Sequence, residues 1–463
     1  MSTIHYENIF IDGIPFSKLH TLEISHKVNG HGRADITGFI KTEDADFFVE
    51  RVDETFLVTI GSTAENQIED LFVGIVSNLD LKKENDYSKL NVSLQSISSK
   101  IDIKRNNASF QQTTMSYGQV MKSVIGEQGF INLLVADKPI GGFVMQYNET
   151  DWEFIIRMAA GLGSVVVTSL LSKKVNLYIG VPQITSAKQI DTVSYSISRS
   201  ETAYQQVSNN TENNVMREDF SNEKVLSYDY VFVGDIVLVN GMNRRVKEMT
   251  ARLFDGILEC SYVLGLETSF VPPKVINKQA TGRMLTGVVT AVKADTVQVH
   301  LPTIDEKEDS SSDWWFPYST AYSSQSGSGW YAMPEVYDEV RVFFPSDNEA
   351  DAFAASSVTK YIRPNVKEKS FSGVNGKQIL LTEEGMVLIC KEGKMYIKMT
   401  EENGIELTSD MDINITSGTK VNIQAGDTIQ MSAKNEIILG TPGAYIDIRP
   451  EEILMTAENI ILK

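Results

Sequence analysis

From about Ile379 to Lys463 the chain repeats every eight residues. Stepping by eight from Ile389 gives Ile397, Ile405, Ile413, Val421, Ile429, Ile437, Tyr445, Ile453 and Ile461. A second series, from Met399, gives Leu407, Ile415, Ile423, Met431, Leu439, Asp447 and Met455. The residue between each pair is mostly polar, as at Glu406, Asn414, Asn422 and Gln430. Apolar residues at i and i+2 share one face of a strand. The small polar residues filling each octad supply a bend before the next strand. A fixed period marks a repeat architecture.

Eight residues are too few for one coil of an ordinary single-chain β-helix, so each octad makes one side of a coil. Two apolar side chains per octad do not offset the entropy of ordering eight residues. Backbone hydrogen bonds must supply the rest, and they need neighbouring strands. Three intertwined chains would provide them and close a triangular apolar core without free edges. The trimer core is then expected at Ile397, Ile405, Leu407, Ile413, Ile415, Val421, Ile423, Ile429, Met431, Ile437, Leu439 and Ile453. A calcium-binding nonapeptide solenoid, the single-chain alternative, needs a recurring Gly-Gly-x-Gly-x-Asp, which this chain lacks. The pattern slips over Gly440–Pro450, where Ile446 and Ile448 fall one step late. Pro442 and Pro450 there predict a bulge or irregular coil.

The rest of the chain reads as mainly β. Residues 1–110 carry Val-, Ile- and Phe-rich runs separated by Gly and Asn. Residues 111–190 read as an α/β segment. Ser116 caps a short helix bearing Val120, Met121, Val124 and Ile125, with Gly129 as its stop. Thr150-Asp151-Trp152-Glu153 has the form of a capping box. Trp152, Ile155, Ile156 and Ala159 follow as one apolar stripe, and Gly161 and Gly163 end that helix. Residues 191–275 are β again, with Asn240-Gly241 as a two-residue hairpin signal. Residues 281–358 read as a small barrel, 359–376 as a polar linker containing Pro364, and 377–463 as the repeat.

Composition excludes several function classes. With 42 basic and 61 acidic side chains, the net charge of −19 makes a poor general nucleic-acid binder. Residues 281–358 hold four basic and twelve acidic side chains. Trp314, Trp315 and Trp330 therefore read as buried or inter-subunit aromatics rather than a stacking platform for single strands. Cys260 and Cys390 have no metal or redox spacing and read as two buried thiols. The N-terminus lacks the basic and apolar regions of a secretory signal, so cytoplasmic synthesis is expected. Neither a Walker loop, nor HExxH, nor Gly-x-Ser-x-Gly is present. No catalytic residue, cofactor or metal ligand is assigned.

Three motifs together resemble the VgrG and phage-tail hub–spike family. Gln146, Tyr147, Glu149, Thr150, Asp151, Phe154 and Arg157 are similar to the family's Gln-Tyr-x-Glu-[Ser/Thr]-Asp-[aromatic]-x-Phe-x-x-Arg signature. From the residues alone, this stretch is a capped helix in which Arg157 pairs with a carboxylate. Trp330, Pro334, Asp338-Glu339-Val340, Val342 and Phe343 resemble the barrel's terminal signature, with Tyr337 where a Gly is usual. The octads are the third motif. The resemblance implies two hub β-barrels with an inserted α/β segment, an OB-fold barrel and a C-terminal trimeric octad-repeat β-helix. It also implies a non-enzymatic homotrimer that docks on inner tube and baseplate proteins and punctures a target membrane transiently. Effector cargo is a further partner the family carries. Some single-chain phage spikes close their tip with iron-binding histidines. The octads here run to Ile461 without histidine, so a separate PAAR-type tip protein is expected. The competing readings are a spike-borne cell-wall hydrolase and a trimeric receptor-binding tail fibre. Phage tail, tailocin, type VI-like and extracellular injection machines are not distinguished by these residues.

Overall fold

The computed structural model describes residues 3–461 apart from 65–66, 85–86, 183–185, 211–213, 306–312, 356–361 and 363–364. Residues 359–361 and 363–364 of the expected linker, including Pro364, and part of the loop 303–312 lie outside the described residues, and the linker's later part carries the strand Lys369–Ser372. The chain divides into two compact units, Met1–Thr359 and Lys360–Lys463.

The first unit is organised by a twelve-stranded sheet. Strands Lys18–Lys27, Arg33–Lys41, Glu69–Glu84 and Tyr87–Ser96 come from the front of the chain. Strands Thr192–Arg199, Ser221–Ser227, Met242–Phe254 and Ile257–Gly265 come from beyond the α/β segment. The two groups, read from sequence as two barrels, are joined by antiparallel pairing of Lys18–Lys27 with Met242–Phe254. Their apolar residues form one core containing Leu22, Ile24, Phe72, Leu94, Met249 and Tyr262. Asn240 (φ 48°) and Gly241 (φ 73°) turn the hairpin between Ile236–Val239 and Met242–Phe254. Both turn positions take the positive φ that an Asn-Gly pair accepts.

His26 sits in this core with its Nε2 2.9 Å from Thr168 Oγ1. Burial, reinforced by nearby His31, pushes its pKa down to about 3. The unfolded chain binds a proton there below the ordinary histidine value of 6.5, while the folded chain does not. Stability from this group is therefore complete above about pH 6.5 and is lost as pH falls towards 3. Thermal melting of His26→Gln should lose up to about 1.4 kcal/mol per pH unit less than wild type across that window.

Four helices of eight residues or more are described. Helix α1 (Thr42–Arg51) and helix α4 (Glu201–Asn210) lie in stretches that sequence reads as β. Lys41, the N-cap of α1, makes no side-chain capping bond, so the start carries no signal. For α4 a signal existed: Ser200 Oγ accepts a hydrogen bond from the Ala203 N–H (3.2 Å). Helix α2 (Tyr117–Ile125) has Ser116 as N-cap, but Gly126 at φ 51° ends it, not Gly129. Helix α3 (Asp151–Gly161) begins with the Thr150–Glu153 capping box. Beside these helices lies a three-stranded mixed sheet of Gly129–Leu133, Val166–Thr168 and Val175–Ile179.

Residues 284–355 form a five-stranded antiparallel sheet. A bridge between Tyr318 and Ala354 connects its first and last strands. Phe316, Val289, Val299 and Val342 fill its core, and Phe143 and Met145 of the α/β segment enter the same cluster. Trp314 and Trp315 are half-buried, whereas Trp330 is 63 % exposed. Trp330 is thus not a core residue of this unit; Phe316 holds that place. Tyr337 adopts φ 77° with its N–H donating to Val289 O (2.8 Å). The turn thus forms without the usual Gly, in a left-handed conformation unfavourable to a side chain. Since Tyr337 is exposed, Tyr337→Gly should stabilise this unit by about 0.5–1 kcal/mol in urea unfolding.

The second unit starts as an antiparallel meander of Lys369–Ser372, Gln378–Leu381, Gly385–Lys391, Met395–Thr400 and Gly404–Thr408. It ends in three strands, Ile437–Thr441, Ala444–Ile448 and Ile453–Thr456. The expected bulge over Gly440–Pro450 is instead a β-hairpin, with Thr441 opposite Ala444 across Pro442-Gly443. Cys260 is buried, but Cys390 is exposed. Cys390 sits at the register shift between Ile389 and Lys391, where the strand alternation breaks.

Candidate functional site

Between the meander and the last sheet the chain bends at 410–411, 418–419, 426–427 and 434–435. The interval is eight residues. Gly418 and Gly426 relieve two of these bends, and Ser417 Oγ accepts from the Thr419 and Lys420 N–H groups (3.3 and 3.2 Å). Three six-residue stretches run between the bends: 412–417, 420–425 and 428–433. Each carries its apolar pair two apart: Ile413 and Ile415, Val421 and Ile423, Ile429 and Met431. Among the described residues, 412–436 make no backbone–backbone hydrogen bond within the chain.

The apolar side chains are equally without cover. Ile405, Leu407, Ile413, Ile415, Val421, Ile423, Ile429, Met431, Leu439 and Ile453 range from 47 % exposed at Leu439 to 77 % at Ile405. Ile397 and Ile437 are half-buried. An apolar groove of about 510 Å³ opens beside Phe371, Ile379, Leu388, Ile397 and Leu407. Unpaired backbone and a continuous apolar face are costly in water.

The phase slip has a physical cause. Cross-strand pairs place Ile437, Leu439, Ile446, Ile448, Ile453 and Met455 on one face. Asp447, which counting by eight puts in the core series, turns to the opposite face. There it is 2 % exposed and its Oδ2 accepts from Arg449 Nη2 and Nε (2.6 and 2.9 Å). The slip sets this carboxylate between Ile438 and Leu454, on the face opposite Ile446 and Ile448.

In the first unit the signature residues gather around helix α3. Gln146 Nε2 donates to Glu149 O (3.2 Å) and Asp151 Oδ1 (2.9 Å). Arg157 Nε and Nη2 donate to the two oxygens of Glu149 (2.9 and 2.8 Å), and Nη2 also to Met145 O (2.7 Å). Phe154 is fully buried under the guanidinium, 5.1 Å from ring centroid to Arg157 Cζ. Tyr147 is half-buried, and its carbonyl accepts from Asn277 Nδ2 (2.8 Å). Sequence reasoning missed the second carboxylate, Glu349, whose Oε1 lies 3.2 Å from Arg157 Nη1. Glu349 Oε2 also accepts from the Met145 N–H (3.2 Å). Burial alone would push the Arg157 pKa down; Glu349 and Glu149 together hold it above its ordinary value. This cluster ties the α/β segment to the five-stranded sheet. Among the described residues, no group of three or more His, Cys, Asp or Glu is placed to hold a metal ion. Among them, too, no helix is long and apolar enough to cross a membrane.

The arrangement is a β-rich first unit followed in the chain by an eight-residue repeat whose apolar face is exposed. It is the fold of the VgrG and phage-tail hub family. The E. coli c3393 protein is described as a type VI secretion system component structurally similar to the T4 bacteriophage tail proteins gp27 and gp5. It aligns over 75 % of this chain and 98 % of its own, with TM-score 0.54 and 15 % identity. A chain of the lidded Francisella PdpA–VgrG complex aligns over 86 % of this chain and 79 % of its own, with TM-score 0.56 and 9 % identity. The family model of the Alg8 N-terminal domain matches residues 21–203. No curated protein matches the chain.

Proposed function

We propose that this protein is the non-enzymatic, homotrimeric hub and spike of a contractile injection machine. The observation that carries this is the octad segment, with bends every eight residues, an exposed Ile/Val face and no backbone partners of its own. Three copies wound together would supply the missing ladder and bury that face as a triangular β-helix. Its core would comprise the octad pairs from Ile397 to Met431, with Ile437, Leu439 and Ile453. Residues 1–110 and 191–275 would curl into the two hub barrels, with 111–190 inserted, and 281–358 would be the OB-fold barrel. Two similar barrels per chain match a trimer to a six-fold inner tube.

The mechanism is mechanical. A shaft whose backbone is fully hydrogen-bonded transmits the thrust of contraction into a target membrane. Ile460 and Ile461, 54 % and 77 % exposed, would offer an apolar contact to a PAAR-type tip protein. Light scattering and native mass spectrometry of the full chain test the reading. A trimer that gains one copy of a PAAR-type protein supports it; a monomer with no tip affinity overturns it. A muralytic assay on the same sample separates it from the cell-wall hydrolase reading.

A further inference from the structure

The long connection between Phe316 and Val340 of the five-stranded sheet carries its aromatic residues outward. Tyr322, Trp330, Tyr331 and Tyr337 are all exposed, whereas Phe316 and Val340 are in the core. The backbone holds this stretch together. The Trp330 N–H donates to Tyr322 O (2.9 Å), and Tyr331 Oη donates to Ala294 O (2.8 Å). Tyr337 is fixed by its N–H on Val289 O. Val289 and Ala294 belong to one hairpin, made by Met284–Lys293 and Thr296–His300. The two anchoring points are five residues apart, about 15 Å along a strand. The aromatic residues are therefore spread over the length of a short extended peptide.

Tyr337 is the anomaly among them. Its φ of 77° is a conformation that strains a residue with a Cβ and that glycine takes freely. At 84 % exposure, packing inside the chain returns little of that cost. Strain kept at a solvent-facing side chain points to use outside the fold.

The surroundings set the sign of the partner. Residues 308–340 hold no Lys or Arg and six acidic side chains, Asp313, Glu335, Asp338 and Glu339 among them. Glu335 and Asp338 flank Tyr337 and are exposed, as is Asp295 at the tip of the hairpin. The acidity that excludes nucleic-acid strands favours a cation. Aromatic faces attract cations too, and the barrel already makes one such pair: Lys293 Nζ lies 6.0 Å from the Trp315 ring centroid. Arginine suits this surface better than lysine, because a planar guanidinium stacks on a ring while its N–H groups reach carboxylates.

We infer that Tyr322, Trp330, Tyr331 and Tyr337, with Glu335 and Asp338, form a docking surface for a basic, arginine-rich segment of another protein. The inference goes beyond the hub-and-spike reading and does not depend on the number of copies.

The test uses the full chain and a fluorescein-labelled hexa-arginine peptide, followed by anisotropy at about 0.15 M salt. Trp330→Leu and Tyr337→Gly both leave the net charge at −19, so general attraction to an acidic chain is unchanged. Each should weaken binding of the peptide about fivefold. Hexa-lysine should bind wild type less tightly than hexa-arginine does. Tyr337→Gly decides the matter even where Trp330→Leu fails to fold, because it relieves the backbone and a loss of binding there is not a loss of structure. Equal affinity of wild type and Tyr337→Gly overturns the inference and leaves net charge as the only attraction. Quenching of tryptophan emission by chitotetraose but not by hexa-arginine also overturns it, by making the surface a sugar platform. So does a Trp330 emission, taken as the difference between wild type and Trp330→Leu, that acrylamide fails to quench in the unliganded protein, because a second copy then closes the face. None of these outcomes bears on the octad shaft, whose oligomeric state light scattering reads separately.

Discussion

Ile413→Asp is expected to abolish assembly of the octad shaft. In one copy Ile413 is 51 % exposed. If the chain worked alone, an acid there would change stability by about 0.5 kcal/mol or less, as surface substitutions do. In the trimer three carboxylates would meet inside a dry apolar core, with no donor among Ile415, Val421 or Ile423. Each buried, unpaired charge costs several kcal/mol or takes up a proton instead. The size of the effect therefore reports the number of chains. Thermal melting followed by light scattering should show the wild-type trimer surviving well above the temperature at which the variant separates. Lowering the pH should restore part of the loss, because protonated carboxyls are cheaper to bury. Ile413→Val, which removes one methyl group, should cost about 0.5–1.5 kcal/mol per chain. A variant trimer as heat-resistant as wild type would rule out a core position for Ile413.

The eight-residue spacing of the bends was legible because its signal is local and periodic. Residues two apart choose the face, residues eight apart choose the bend, and the bends at 418–419 and 426–427 fall where the small residues are. The capping box at Thr150–Glu153 was legible for the same reason: both partners lie within one turn. Where pairing overrides pattern, the reading failed. The octads before Thr408 fold as an antiparallel meander, which the same i, i+2 alternation permits. Gly440–Pro450 became a hairpin in which Asp447 pairs with Arg449 on the face opposite Ile446 and Ile448. Helix α1 was missed because its first residues carry no cap and its Phe and Val suit a strand equally well. The edge strand Thr192–Arg199 reads as an ordinary amphipathic strand; only the sheet order places it at an edge, with no second neighbour among the described residues.

Arg157 illustrates what sequence cannot supply. Its pairing with Glu149 spans one helix entry, but Glu349 is 192 residues away and no spacing rule reaches it. Removing the cation leaves two carboxylates, both close to nine-tenths buried, without their counter-charge. Arg157→Met keeps most of the side-chain volume and is expected to cost about 3–5 kcal/mol in urea unfolding of the first unit. The loss should be smaller at low pH, because burial already pushes the Glu349 carboxyl up and, without Arg157, only the Met145 N–H opposes its protonation. The triple change Arg157→Met, Glu149→Gln, Glu349→Gln should recover most of the stability, since neutral amides are far cheaper to bury than unpaired charges. The substitutions must then be strongly non-additive, as members of one network are. Proteolysis gives a second readout. In Arg157→Met the joint between helix α3 and the five-stranded sheet loosens, so cleavage should begin in the α/β segment, near the bared Met145 carbonyl. A single variant unfolding within 1 kcal/mol of wild type would show that the cluster is held by its apolar surround, with Phe143 and Met145 as the joint rather than the ion pairs.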